Sequence, residues 1–240
     1  GEGLMSTNQP LSYEELKRRL NTAESSLQAF RRGQIDAIVG EQDNLVVRLE
    51  GAEKREAHIK QVLLAIRNVN QLIMHESDPR NLIEGACANL TAALGYYNAW
   101  IALLDDNYTV GATASSGFNG GFDRLQAQLK MGDFPDCVKR ALVSDEVVVI
   151  KDPPNECSNC PLAGEYAGRM GLIRALKFEK RSYGVLAVSV PSAFAYDTEA
   201  QTLFNELAHD LGFALQKIED KKALQFANDI INRSPAVAFV

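Results

Sequence analysis

Apolar positions along this chain change their period several times, and each change marks an element. From Tyr13 onward Leu16, Leu20, Ala23, Leu27 and Phe30 recur at alternating spacings of four and three, which predicts a helix with one narrow apolar stripe. Gly33 ends it, and the segment RRGQIDAIVGEQDN, with glycines flanking Ile35 to Val39, is expected to form a compact joint. A second stripe runs from Leu45 through Leu49, Ala52, Glu56, Ile59, Leu63, Ile66, Asn70 and Ile73. So narrow a stripe is buried against another helix or another copy, with Glu56 and Asn70 setting the register of a parallel dimer. From Ile59 onward it also fits a single helix packed on its own domain.

Asp78 or Ser77 can cap the next helix, Pro79 fits its first turn, and Gly95 lies just past its end. Leu82, Ile83, Ala86, Leu90, Ala93 and Leu94 form its apolar face, with Cys87 beside it as a small buried hydrophobe. Asn98 to Leu104 and Tyr108 to Ala114 read as paired strands, SSGFNGG as a loop, and Phe122 to Leu129 and Pro135 to Val143 as short helices. Val147 to Ile150 is a short strand; Leu172 to Phe178 and Tyr183 to Val190 form a largely buried hairpin around Glu179, Lys180 and Arg181. A long helix from about Tyr196 to Arg233 follows, with Leu207, Leu211, Ala214, Ile218, Lys221 and Leu224 along one stripe. This order predicts an α+β fold: an antiparallel sheet with helices gathered on one side, flanked by long N- and C-terminal helices.

Composition narrows the function classes. The 240 residues carry a net charge of -6 without a concentrated basic face, which argues against nucleic-acid binding. No apolar run approaches the roughly 18 residues that span a bilayer, and the polar N-terminus lacks a signal-peptide core, so a cytoplasmic location is expected. Four cysteines are too few for a disulfide scaffold. Cys157 and Cys160, in ECSNCP, can bite one soft ion or close a small disulfide, and Cys137 is the other thiol nearby in sequence. These three thiols are the candidate metal ligands, and equally they suit a packing role that pins the loop. His75 and His209 are the remaining ligand options, each also fitting a solvated helix position.

Two stretches resemble a known family. YGVLAVSVPSAFAYDTEAQTLFNELAHDLGFALQKIE resembles the C-terminal part of GAF domains, and LLAIRNVNQLIMHESDPRNLIEGACANLTAALGYYNAWIALLDD resembles the opening of GAF sensors in signal-transduction proteins. The resemblance covers about Ile59 to Glu219. QFANDIINRSPAVAFV is similar to the entry of a PAS domain, and LKRRLNTAESSLQAFRRGQIDAIV to helical segments that precede sensor modules in histidine kinases. Residues 1–12 then read as a flexible start with a possible tag remnant before Met5, 13–58 as a helical signalling linker, 59–219 as the GAF domain, and 220–240 as an exit helix with the edge of a PAS domain.

The resemblance implies a sensory module of a two-component histidine kinase, homodimeric through its N- and C-terminal helices, acting on downstream PAS and kinase domains and a response regulator. It places a pocket between the sheet and its covering loops, with Trp100, Phe118, Phe134, Tyr166, Arg169 and Arg174 as candidate lining. Of these Trp100, Tyr166 and Arg169 join Cys137, Cys157 and Cys160 as candidate ligand- or redox-sensing residues. A subset of GAF sensors resembles this chain in PDC, CxxCP and EYAGR, and some related GAF sensors attach haem through a cysteine; no Cys-x-x-Cys-His attachment motif occurs here, because Pro161 follows Cys160, so the cofactor stays open, with haem and a thiolate-bound metal as the candidates. Residues typical of cyclic-nucleotide-binding GAF domains are not evident. The alternative is an enzyme: GAF-type thiol reductases similar in fold reduce free methionine sulfoxide, one thiolate attacking and a second resolving.

Overall fold

A computed structural model of the chain describes residues 12–31, 37–41, 44–48, 50–93, 95–157, 159–166 and 168–233. Of the expected flexible start only Ser12 falls among them, and Gly33 and the Ser-Pro of the expected PAS entry lie outside. The chain divides into two compact units, residues 1–57 and 58–240.

In the first unit helix α1 spans Tyr13–Arg31, capped by the Ser12 hydroxyl, which accepts the Glu15 amide at 3.2 Å. Strands β1 (Ala37–Glu41) and β2 (Asn44–Arg48) then form an antiparallel hairpin whose register runs from Ala37 opposite Arg48 to Glu41 opposite Asn44. This corrects the expected joint and the helical stripe from Leu45. Ile38, Val39, Val46 and Val47 are β-branched and cluster in two short runs, which favours strands over a helix. Helix α2, Glu50–His75, starts only after the hairpin.

The second unit is built on a five-stranded antiparallel sheet in the order β4-β3-β7-β6-β5. Its strands are β3 (Asn98–Leu104), β4 (Val110–Ser116), β5 (Val148–Ile150), β6 (Arg169–Phe178) and β7 (Arg181–Pro191). Helix α3 spans Pro79–Ala92; the Asp78 carboxylate accepts the Arg80 and Asn81 amides, which fixes its start as expected. One face of the sheet packs against α2, α3 and the long α7 (Thr198–Arg233), through Val62, Ala65, Val69, Leu82, Leu90, Ile101, Leu186 and Phe204. Cys87 is wholly buried there, as a core residue. The other face is covered by α4 (Phe122–Lys130), α5 (Asp136–Val143), α6 (Pro153–Glu156) and a 3-10 turn at Ala163–Tyr166.

From Ile59 onward, α2 buries Val62, Ala65 and Val69 in its own domain, while Leu63 and Leu64, 45% and 50% exposed, face outward. The reading of this segment as a helix packed on its own domain is the one the burial supports. The β6–β7 hairpin turns tightly from Phe178 to Arg181, with Glu179 in the left-handed region at φ 52°.

Candidate functional site

Strand alternation decides which side chains reach the face covered by the short helices. Gly171 and Ile173 on β6, Ala187 on β7 and Trp100 on β3 point that way, and they floor a cavity of about 30 Å³. Its roof comes from α5, α6 and the segment after it, which bring Cys137, Pro153, Cys157, Cys160, Ala163 and Tyr166 over the sheet. Small side chains at Gly171 and Ala187 leave the hollow; Trp100 and Tyr166 close it, and the indole N–H donates to the Tyr166 hydroxyl. Burial pushes the Tyr166 phenol up, opposed by that bond.

Cys137, Cys157 and Cys160 therefore meet although the first is separated from the others by α5, β5 and α6. Cys137 lies in the first turn of α5, and Cys157 closes α6, its amide donating to the Pro153 carbonyl at 2.9 Å. The Cys160 amide returns to the Cys157 carbonyl at 2.9 Å, so the pair spans one turn. Cys137 and Cys157 interact through a side-chain hydrogen bond, and that bond together with burial pushes Cys137 far up. The same bond draws Cys157 below the ordinary thiol value, with Arg140 helping and burial and Glu156 opposing. Burial holds Cys160 up at about 11.

The loop is pinned by two carboxylates, Glu156 and Glu165, through partners that the sequence reading did not foresee. Glu156 accepts the Lys151 and Asp152 amides, both at 3.0 Å. Glu165 accepts the Asn119 and Gly121 amides, both at 3.1 Å, tying the 3-10 turn to the loop before α4. Glu165 lies within the EYAGR motif, yet nothing in its spacing betrays a partner 44 residues away. Glu165→Ala leaves these amides without their charged acceptor. We expect hydrogen exchange at Asn119 and Gly121 to speed up at least ~10-fold, reflecting loss of ~1.5–3 kcal/mol per charge-assisted bond, while the core strands keep their protection. Unchanged exchange there would assign the clasp elsewhere.

The remaining candidates lie apart from the cavity. Arg169 stacks its guanidinium 4.0 Å over the Tyr97 ring, at the outer end of β6. Arg174 points to the opposite face, where Nε donates to Asn205 of α7 at 2.6 Å and Nη1 to the Ser144 carbonyl at 2.8 Å. Phe118 and Phe134 pack around the cluster without lining the cavity. His209 packs on Phe178 and His75 is exposed in the last turn of α2.

Among the described residues no group of three His, Cys, Asp or Glu side chains is arranged to hold a metal ion, so the three thiols share a cavity without forming such a set. Nor does the cavity fit a haem: about 30 Å³ is room for about one water, against the ~300–1,000 Å³ of ordinary ligand sites. Asn98 Oδ1 and Ser189 Oγ, on the same sheet face one row from Trp100 and Ala187, are buried with no hydrogen-bond partner. A wider cleft of about 370 Å³ on the helical face is lined by two ion pairs, Arg181 with Glu219 and Lys222 with Asp78. Among the described residues no helix is long and apolar enough to cross a membrane.

A central antiparallel sheet with long helices on one face and a small hollow under a covering segment on the other defines an α+β cavity domain. The chain belongs to the GAF family: the model of the GAF domain matches residues 76–216. A model described as a domain of unknown function matches residues 12–53. Among solved structures, the GAF domain of a phosphoenolpyruvate-protein phosphotransferase from Coxiella burnetii is 17% identical, with 69% of this chain and 98% of that chain covered and a TM-score of 0.50. The corresponding domain from Acinetobacter is 16% identical, covering 66% and 94%, with a TM-score of 0.47. Free methionine-R-sulfoxide reductase from Neisseria meningitidis is 15% identical, covering 77% and 98%, with a TM-score of 0.48. No curated protein matches the chain.

Proposed function

We propose that this chain is the sensory GAF module of a signal-transduction histidine kinase, in which the state of the thiol-lined cavity is relayed through paired helices to PAS and kinase domains and a response regulator. The observation that carries the reading is the meeting of Cys137, Cys157 and Cys160 in one hollow. A connection from it to the exit helix supports the relay. Cys137 opens α5; Ser144, just past the end of α5, accepts from Arg174; and Arg174 holds Asn205 on α7. Beyond the domain core α7 carries Leu224, Phe226 and Ile230, 63%, 68% and 51% exposed, and such a run of exposed apolar residues on one helix suits pairing with a second copy. The kinase context rests on the resemblance of the flanking segments.

The enzyme alternative finds no support in the cavity, because about 30 Å³ does not admit an amino-acid sulfoxide. A small polar ligand is the second reading, favoured by the unpartnered Asn98 and Ser189 oxygens.

The test compares reduced chain with chain whose cavity thiols are blocked by mercuric ion, which is small enough to enter the hollow, by light scattering and hydrogen exchange. A dimer is expected, with altered exchange in α7 from Asn205 toward Ile230 on blocking. A monomer at high concentration together with identical α7 exchange in both states would sink the proposal.

A further inference from the structure

We propose that Cys157 and Cys137 are a dithiol oxidised by hydrogen peroxide or a comparably small hydroperoxide, with Cys157 attacking, Cys137 resolving and Cys160 remaining reduced. The inference rests on the sensor reading above and gives its signal a chemical class. Three observations converge on it. The Cys137 and Cys157 side chains line one cavity, Cys137 from the first turn of α5 and Cys157 from the end of α6, and they interact within it. The neighbouring Cys137 thiol and the Arg140 charge also draw Cys157 below the ordinary thiol value, whereas burial holds Cys160 up. And the cavity selects by size: about 30 Å³ admits a molecule little larger than water, a description hydrogen peroxide fits and larger organic oxidants do not.

The chemistry balances without a cofactor. The Cys157 thiolate attacks the distal oxygen of the hydroperoxide; the S–O bond forms, the O–O bond breaks, and the departing oxygen takes a proton from solvent to leave as water or an alcohol. Sulfur loses a pair of electrons and the peroxide gains it, giving the sulfenic acid. The Cys137 sulfur then attacks the Cys157 sulfur; the S–S bond forms, the S–O bond breaks, and hydroxide leaves with the Cys137 proton as water. The crosslink joins the first turn of α5 to the end of α6. A shift of α5 toward that segment pulls on Ser144, the carbonyl that Arg174 grips while holding α7.

The experiment treats the reduced chain with hydrogen peroxide and follows free thiols, peptide-mapped crosslinks and the emission of Trp100, the single tryptophan, in the cavity wall. Wild type should lose two of its four thiols, yield a Cys137–Cys157 peptide pair and shift the emission. Cys160→Ser should behave as wild type; Cys137→Ser should stop at a sulfenic acid, trapped by dimedone once the chain is unfolded; Cys157→Ser should react at least ~10-fold more slowly. A Cys157–Cys160 crosslink in wild type, or a disulfide formed in Cys137→Ser, overturns the assignment of the resolving thiol and leaves a redox sensor standing. Thiols inert to hydrogen peroxide in a correctly folded chain overturn the inference entirely, while the blocking experiment above still decides the sensor reading on its own.

Discussion

Gly184→Ala is expected to remove most of the stability of the GAF domain. Gly184 lies on β7, the strand between β3 and β6, opposite Leu103 on one side and Leu176 on the other. Its φ is 152°, a conformation other residues rarely adopt, and a Cβ there would come 2.1 Å from the Ala102 carbonyl oxygen and 3.0 Å from the Leu103 Cα. Those are backbone atoms of a neighbouring strand and cannot swing aside as a side chain does. The conformational strain alone costs ~1–3 kcal/mol, and the clash forces β3 and β7 apart where both faces of the sheet are packed. A loss of ~4 kcal/mol or more is expected, comparable with the whole stability of a marginal domain. Gly111→Ala is the control, since its Cβ would meet nothing within 4 Å. Thermal or urea unfolding followed by circular dichroism should show Gly111→Ala within ~0.5 kcal/mol of wild type and Gly184→Ala unfolded or insoluble. Equal midpoints for the two variants would contradict the packing described for β7.

The elements that the sequence foreshadows best are those whose local chemistry and tertiary role agree. Asp78, Pro79 and the apolar face of α3 specify one helix by themselves, and the apolar runs of β3, β6 and β7 leave little choice but a buried sheet. The β1–β2 hairpin was hidden because Leu45 and Leu49 happen to continue a helical spacing, while the β-branched pairs Ile38–Val39 and Val46–Val47 carried the stronger signal. In the site, Cys157 and Cys160 are legible as a motif, but their meeting with Cys137 depends on how α5 crosses the sheet, which no local pattern encodes. Arg174 was misplaced for a reason visible in retrospect. Strand parity puts Gly171 and Ile173 on the cavity face, so Arg174 shares the opposite face with Leu172 and Leu176, toward α7. Arg169 has the cavity parity but lies at the strand end, where it finds the Tyr97 ring.

The two faces of the sheet thus have separate tasks. The face toward α4, α5 and α6 carries a hollow with three thiols in its wall; the face toward α2, α3 and α7 is a dense core with apolar residues left exposed on its helices. Strand β6 belongs to both, since Ile173 lines the hollow while Arg174 and Lys177 grip the Ser144 carbonyl and Arg174 also holds α7. A change at the thiols need not cross the packed core to reach the exit helix; it has to move α5 relative to β6.

Gly212→Val tests whether α7 is seated on β6 tightly enough to feel such a movement. Gly212 lies in the middle of α7, and a Cβ there would come 2.7 Å from the Lys177 oxygen, 2.9 Å from its carbonyl carbon and 3.2 Å from its nitrogen. The helix therefore rests on the strand backbone at the residue where the β6–β7 register shifts. Two effects oppose each other on substitution. Replacing a helical glycine gains up to ~1 kcal/mol of helix propensity for alanine and less for valine. Forcing a branched side chain between two backbones costs ~1–3 kcal/mol or more, because α7 must lift and take Phe204 and Leu211 partly out of the core. The second effect wins: Gly212→Val should lose ~3 kcal/mol, and Gly212→Ala less, in urea unfolding. The lifted helix should also stop reporting the thiols, so that α7 exchange becomes the same in reduced and blocked chain even where the variant remains folded. A valine variant as stable as wild type would mean that α7 does not rest on Lys177. A destabilised variant whose α7 still responds to thiol blocking would move the relay from the β6 contact to another route.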